Sequence, residues 1–151
     1  MEDRYLFKAK KKNWQELPKD EQWVQGYLFD DGFENGRMFV GGLVVEKYTG
    51  TACDDWAVTG INFYEIDPST ICQCTGLRDK NGNLIWENDI VKAKYSDGFE
   101  EITEVAYSKN GYSPYLNEYE CEGCCCRCEV TEIEVIGNTF DNPELLESEG
   151  N

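Results

Sequence analysis

Apolar and polar side chains alternate with a period near two along most of this chain, and the alternation breaks at Gly, Asn and Asp pairs. Successive side chains of a strand point to opposite faces, so this rhythm suits half-buried strands joined by tight turns. In Gln22–Phe29, Trp23, Tyr27 and Phe29 fall on one strand face, with Val24 and Leu28 on the other. Asp31-Gly32 and Asn35-Gly36 supply the positive backbone angles that tight turns require. Met38–Val45 reads as a strand in which Gly41-Gly42 marks a bulge or a close backbone approach. Ile61–Ile66 alternates up to Asp67-Pro68, where the proline ring removes a ladder donor and ends the strand.

Ile71–Thr75, Leu84–Trp86, Ile90–Tyr95, Phe99–Ser108 and Val130–Ile136 continue the pattern. Their turns are Asp79-Lys80-Asn81-Gly82, Glu87-Asn88-Asp89, Ser96-Asp97-Gly98 and Asn110-Gly111. Only two segments read as helical: Asn142–Glu147, with an Asn cap and Pro in the first turn, and a loose turn through Asn13–Glu21 that Pro18 interrupts. A chain of 151 residues fits one compact unit or two small subdomains. The expectation is a mostly β protein of two packed subdomains, 1–69 and 70–151. The second is expected to be an SH3-like barrel or roll, closed by the last strand and a short C-terminal helix.

Charge and residue inventory narrow the chemistry. There are 14 basic and 30 acidic residues and a formal net charge of -16, which repels a polyanion, so direct nucleic-acid binding is disfavoured. Arg4, Lys8, Lys10, Lys11 and Lys12 form a basic start, and Asp141, Glu144, Glu147 and Glu149 an acidic end, both read as solvated faces. The start has charge where a signal peptide needs an apolar core, and no apolar run reaches spanning length. A soluble, cytoplasmic protein with no membrane partner is expected. The absence of histidine excludes Cys-His dyads, Ser-His triads and His-containing metal sites. The acid pairs Asp30-Asp31, Asp54-Asp55 and Glu100-Glu101 are strand neighbours, so only one of each lines a given cleft. No phosphate loop, nucleophile elbow or dinucleotide fingerprint is present, and a non-enzyme is expected.

The densest chemical signal is Cys121-Glu122-Gly123-Cys124-Cys125-Cys126-Arg127-Cys128, holding five of the eight cysteines. Cys121, Cys124, Cys126 and Cys128 are candidate zinc ligands, since a Cys-x-x-Cys pair can wrap one side of a tetrahedral ion. Against this, a zinc ribbon wants two separated knuckles, and these lie on one short loop. Cys72 and Cys74, on one strand face, offer a distant second pair. A loop of free thiols is the plainer reading, with no cofactor required.

Three segments carry a family resemblance. They are Gly26-Tyr27-Leu28, the run from Ile66 to Val91 with the form QxTGLxDKNGxxIxExDIV, and Glu134–Glu147 with VIGNxxxNPELL. The chain resembles the YopX proteins of bacterial phages and prophages over nearly its whole length. Cys74 stands where the family usually has an aromatic, and Asn88 where it usually has Gly. The resemblance implies an all-β fold and a mobile-element origin in a bacterial host cell, and brings no catalytic residues. Thr75, Gly76, Leu77, Gly82 and Asp89 read as a structural motif of turns and core. An exposed Asp79-Lys80-Asn81 tip is a candidate for contact with a partner.

Two further expectations follow. Exposed aromatics among Trp14, Trp23, Trp56 and Trp86 are expected to form a docking patch for a protein partner, self or host, with homo-oligomerisation covering strand edges. The alternative is an acidic surface that imitates DNA and occupies a host nucleic-acid-binding protein.

Overall fold

The computed structural model describes residues 5–34, 36–48, 55–108, 111–113 and 130–147. The described chain is mostly strand, as the alternation predicts, with one short α-helix. It divides into two units, Leu6–Ile71 and Cys72–Asn151 with Met1–Tyr5.

The first unit is built on β1 (Phe7–Lys10), β2 (Trp23–Asp30), β3 (Met38–Tyr48) and β4 (Asp55–Glu65), all antiparallel, in the order β4-β3-β2-β1. Directly opposed residues share a face. Ala9 lies opposite Val24, and Val40 lies opposite both Leu28 and Tyr64. That face makes the core, where buried Ala9, Val40 and Ile66 pack with Val24, Leu28, Met38 and Ile71. The other face carries Tyr27 opposite Gly41 and Phe29 opposite Phe39.

Gly41 is placed by close approach rather than by a bulge. A Cβ there would fall on the Asn62 carbonyl and lie 2.7 Å from the Phe63 Cα. The bulge sits further along, between Val44 and Val45, where Val44 opposes Gly60 and Val45 opposes Val58. Asn13–Glu21, expected as one loose turn, forms two short 3-10 turns, Trp14–Glu16 and Lys19–Glu21, with Pro18 capping the second.

The basic start is not wholly a solvated face. Lys10 is 1% exposed. Its ammonium donates to Gln22 Oε1 at 3.1 Å and lies 4.0 Å from the Trp14 ring centroid and 5.4 Å from that of Trp23. Burying an ammonium costs heavily unless partners replace its water, and here an amide oxygen and two π faces do so. The expected solvation is therefore corrected at Lys10, while Lys12 is exposed and pairs with Glu65 at 3.2 Å.

The second unit contains the hairpin β5 (Cys72–Arg78) and β6 (Leu84–Trp86). It also contains a three-stranded sheet in which β7 (Asp89–Tyr95) lies between β8 (Glu100–Glu104) and β11 (Val130–Asn138), and a small ladder of β9 (Ala106–Ser108) with β10 (Gly111–Ser113). Its core is Ile85, Val91 and Val105, backed by Leu77, Ile133 and Val135.

The single strand expected over Phe99–Ser108 is broken at Val105. Its N–H donates to the Asp89 carbonyl and its own carbonyl accepts from the Asn88 N–H, both at 2.8 Å. Val105 thus serves the bend before β7, and buries its side chain fully in doing so. The terminal helix α1 (Glu144–Glu147) is a single turn. Among the described residues no helix is long and apolar enough to cross a membrane.

Candidate functional site

The residues of the middle motif converge, and what they build is backbone. Gly76 has φ of 82° and sits where the β5–β6 register shifts between Cys74 and Arg78. Extra residues on β5 leave ladder groups unmatched, and Thr75 fills the gap. Its hydroxyl donates to the Ile85 carbonyl at 2.8 Å and accepts from the Leu77 N–H at 3.2 Å. Leu77 then packs on the Ile85 core. A threonine before a glycine in the left-handed region is therefore a bulge device.

Asp79 was expected on an exposed tip, and it is buried at 7% exposure. Its carboxylate turns inward. Oδ1 accepts from the N–H groups of Asn81 and Asn83, each at 2.9 Å, and Oδ2 from the Val135 N–H at 3.0 Å. Burial pushes the Asp79 carboxyl up, but hydrogen bonds from the Val135, Asn83 and Asn81 N–H groups and the Asn83 amide outweigh it and hold it below the usual carboxylate range. Lys80 and Asn81 remain exposed. The Lys80 ammonium faces Glu134 at 3.5 Å and Glu132 at 3.7 Å, while the Lys80 N–H donates to the Ile133 carbonyl at 2.9 Å. Gly82, with φ of 84°, closes the turn.

Asp89 repeats the arrangement. It is 2% exposed, and its Oδ2 accepts from the Trp86 N–H at 2.8 Å. Asn88 is the one described non-glycine residue with positive φ, at 68°. Asn tolerates that region better than other side-chain-bearing residues, which suits Asn88 to the bend. The closing motif is built alike: Asn142 Oδ1 accepts from the Asn138 N–H at 3.3 Å, and a Cβ on Gly137 would lie 2.7 Å from that oxygen.

Among the described residues no group of three or more Cys, Asp, Glu or His is gathered as a metal site. Cys72 and Cys74 are buried. The first accepts from the Asn88 side-chain amide at 3.5 Å, and the second from the Gly76 N–H at 3.5 Å. Cys121, Cys124, Cys126 and Cys128 lie outside the described residues. Among the described residues each unit has an open groove. One of about 740 Å³ is lined by Lys11, Lys12, Asn13, Gln15, Glu16, Tyr64 and Glu65. Its cations are engaged, Lys11 over the Tyr64 ring at 4.3 Å and Lys12 with Glu65. The other, about 370 Å³, lies beside Leu77, Lys80 and Ile133 in the second unit.

Of the acid pairs, Asp54 and the side chain of Asp55 lie outside the described residues, and the others are engaged with different partners. Asp31 pairs with Arg37 at 3.4 Å, Glu100 with Lys92 at 3.6 Å, and Glu101 accepts from the Tyr95 hydroxyl.

The exposed apolar surface lies where sequence reasoning did not look. Of the four tryptophans, Trp86 is buried, Trp14 and Trp23 are half-buried beneath lysine ammonium groups, and the side chain of Trp56 lies outside the described residues. Exposed aliphatic side chains cluster on β3 and β4, Leu43 at 61%, Val45 at 46%, Val58 at 59% and Ile61 at 69%, while the aromatics Tyr5, Phe33, Phe99 and Tyr107 are exposed elsewhere. Leu43 opposes Ile61 and Val45 opposes Val58, so the two pairs form one strip on the face that carries Tyr27 and Gly41. Phe29, 53% exposed, continues it and meets Phe63 edge to face at 5.1 Å, with Gly41 of the intervening strand offering no side chain between them. A sequence signal existed: Met38–Val45 and Ala57–Tyr64 each run without a charged residue in a chain that is 29% charged.

Residues 40–147 match the family described as YopX protein. The crystal structure of protein EF1440 from Enterococcus faecalis is similar at 20% identity and a TM-score of 0.46, covering 94% of this chain and 96% of that one. No curated protein matches the chain.

Proposed function

The chain belongs to the YopX family, and from that premise we propose that it is a non-catalytic protein-interaction module of mobile-element origin that docks through the apolar face of β3 and β4. The observation that carries this reading is the exposure of Leu43, Val45, Val58 and Ile61 on one sheet face. Ordinary sheets place such a face against a core or cover it with polar side chains. Contiguous exposed apolar surface on a folded domain marks a contact site. The signature residues support the same reading, because the Thr75 hydroxyl and the Asp79 and Asp89 carboxylates hydrogen-bond backbone groups of the fold.

Acidic mimicry of DNA finds less support. It needs free, patterned carboxylates, and several described acids pair with cations, as Glu65 with Lys12, Glu100 with Lys92, and Glu132 and Glu134 with Lys80.

The test is capture of bacterial proteins on immobilised chain at about 0.15 M and about 0.5 M salt, comparing wild type with a Leu43→Lys/Ile61→Lys double variant. Apolar docking predicts a captured set that survives high salt and disappears in the variant. Equal capture by both chains, or release by salt, overturns it.

A further inference from the structure

Resting on that reading, we infer that the occupant of the β3–β4 face is a second copy of the chain, seated face to face about a two-fold axis. The argument begins with area. Scaled by their exposures, Phe29, Leu43, Val45, Val58 and Ile61 present roughly 500 Å² of apolar surface, the upper range for the largest patch on an ordinary monomer. One such face is short of the roughly 800 Å² that each partner of a standard interface buries. Two of them meeting bury roughly 1,000 Å² in total, the size at which a specific interface becomes tenable, and rim residues add to it.

Composition selects the partner. The strip must be matched by a flat, uncharged surface, since a charge set against it would be stripped of water without an opposite charge to pair with. The chain carries net charge -16, so two copies repel each other over most of their surface. The uncharged runs Met38–Val45 and Ala57–Tyr64 are where that repulsion is weakest and apolar gain greatest. An isologous contact uses the same patch twice, and the cross-strand pairs Leu43–Ile61 and Val45–Val58 give it aliphatic side chains in both halves. Sheets packed face to face interdigitate such side chains at roughly 10 Å separation.

Charge also gives the contact a signature. Salt screens the repulsion between two acidic copies and leaves apolar contact intact, so self-association strengthens as salt rises. A contact made by ion pairs does the reverse.

Sedimentation or light scattering across about 1–200 μM full-length chain, at about 0.05 M and about 0.5 M salt, tests the inference. The expected result is a reversible dimer, tighter at the higher salt, whose dissociation constant rises at least about 30-fold in Ile61→Lys, because the contact would bury each new ammonium without a partner. Circular dichroism and the melting temperature check that Ile61→Lys folds; should it not, Leu43→Lys takes its place. Phe99→Lys, an exposed aromatic of the other unit, should dimerise as wild type does. A wild-type dimer that persists unchanged in Ile61→Lys and Leu43→Lys overturns the face as the contact. A wild type that is monomeric throughout overturns the second copy as occupant. If that monomer still captures a host protein through Leu43 and Ile61, the interaction reading stands; if it captures none, that reading falls as well.

Discussion

Asp79 and Val135, 56 positions apart, are joined by a hydrogen bond of 3.0 Å from the backbone N–H of Val135 to Asp79 Oδ2. The bond ties the β5–β6 turn to β11 inside the second unit, and it turns a motif that reads as a surface tip into an internal fastening.

Replacing Asp79 should therefore act on stability. Asp79→Ala leaves the N–H groups of Asn81, Asn83 and Val135 without their acceptor, at a cost of about 2–4 kcal/mol. Urea denaturation with matched m-values is the check, and a loss under about 0.5 kcal/mol would contradict the role assigned.

The same carboxylate sets an acid dependence. Its folded pKa lies below the usual carboxylate range, so its contribution is fully present above that range and is lost as pH falls through the lowered folded value. Asp79→Asn removes this titration. The stability gap between wild type and Asp79→Asn should stay constant above about pH 5 and narrow as pH falls below about 4, whereas a gap independent of pH down to about 2 would deny the linkage.

Thr75 and Gly76 make a paired prediction. Thr75→Val keeps the shape and removes the hydroxyl that serves Ile85 and Leu77, for about 1–2 kcal/mol. Gly76→Ala puts a side chain at φ of 82° and costs about 1–2 kcal/mol by a separate route. Thermal unfolding of both single variants checks each term.

At Asn88 the family's usual residue should be tolerated. Asn88→Gly is expected within about 1 kcal/mol of wild type, while Asn88→Val, β-branched at φ of 68°, should lose about 2 kcal/mol or more. Equal melting temperatures for the two variants would mean that the bend is not held in the left-handed region.

Gly41→Ala should be the most damaging of the single changes in the first unit. The new methyl group falls against the backbone of Asn62 and Phe63, where no flexible side chain can yield. Loss of cooperative unfolding or of expression is the expected outcome, in contrast with Gly32→Ala, whose Cβ meets nothing within 4 Å and which pays only for its φ of 76°.

Strand existence was legible because period two is a local property: Trp23–Asp30 and Leu84–Trp86 lie where alternation put them. The break at Val105 was not, because its cause is two hydrogen bonds to the Asn88–Asp89 bend, and nothing in Phe99–Ser108 itself encodes them. The inward turn of Asp79 escaped for the same reason, its third donor coming from Val135. Lys10 was read as solvated because charge alone is visible in a sequence, whereas the rings of Trp14 and Trp23 that receive it become neighbours only on folding. The apolar strip was written plainly in two uncharged runs. It was missed because strand alternation assigns greasy residues inward, and exposure is decided by what the opposite face already occupies.

The separation of Asp79 from Val135 bears on how the chain is made. Leu6–Ile71 is one uninterrupted stretch, so a ribosome delivers every strand of that unit before any strand of the other. The turn at Asp79, by contrast, emerges early and waits for β11. Until then water holds the carboxylate, and the hairpin completes its bonding only once β11 has emerged.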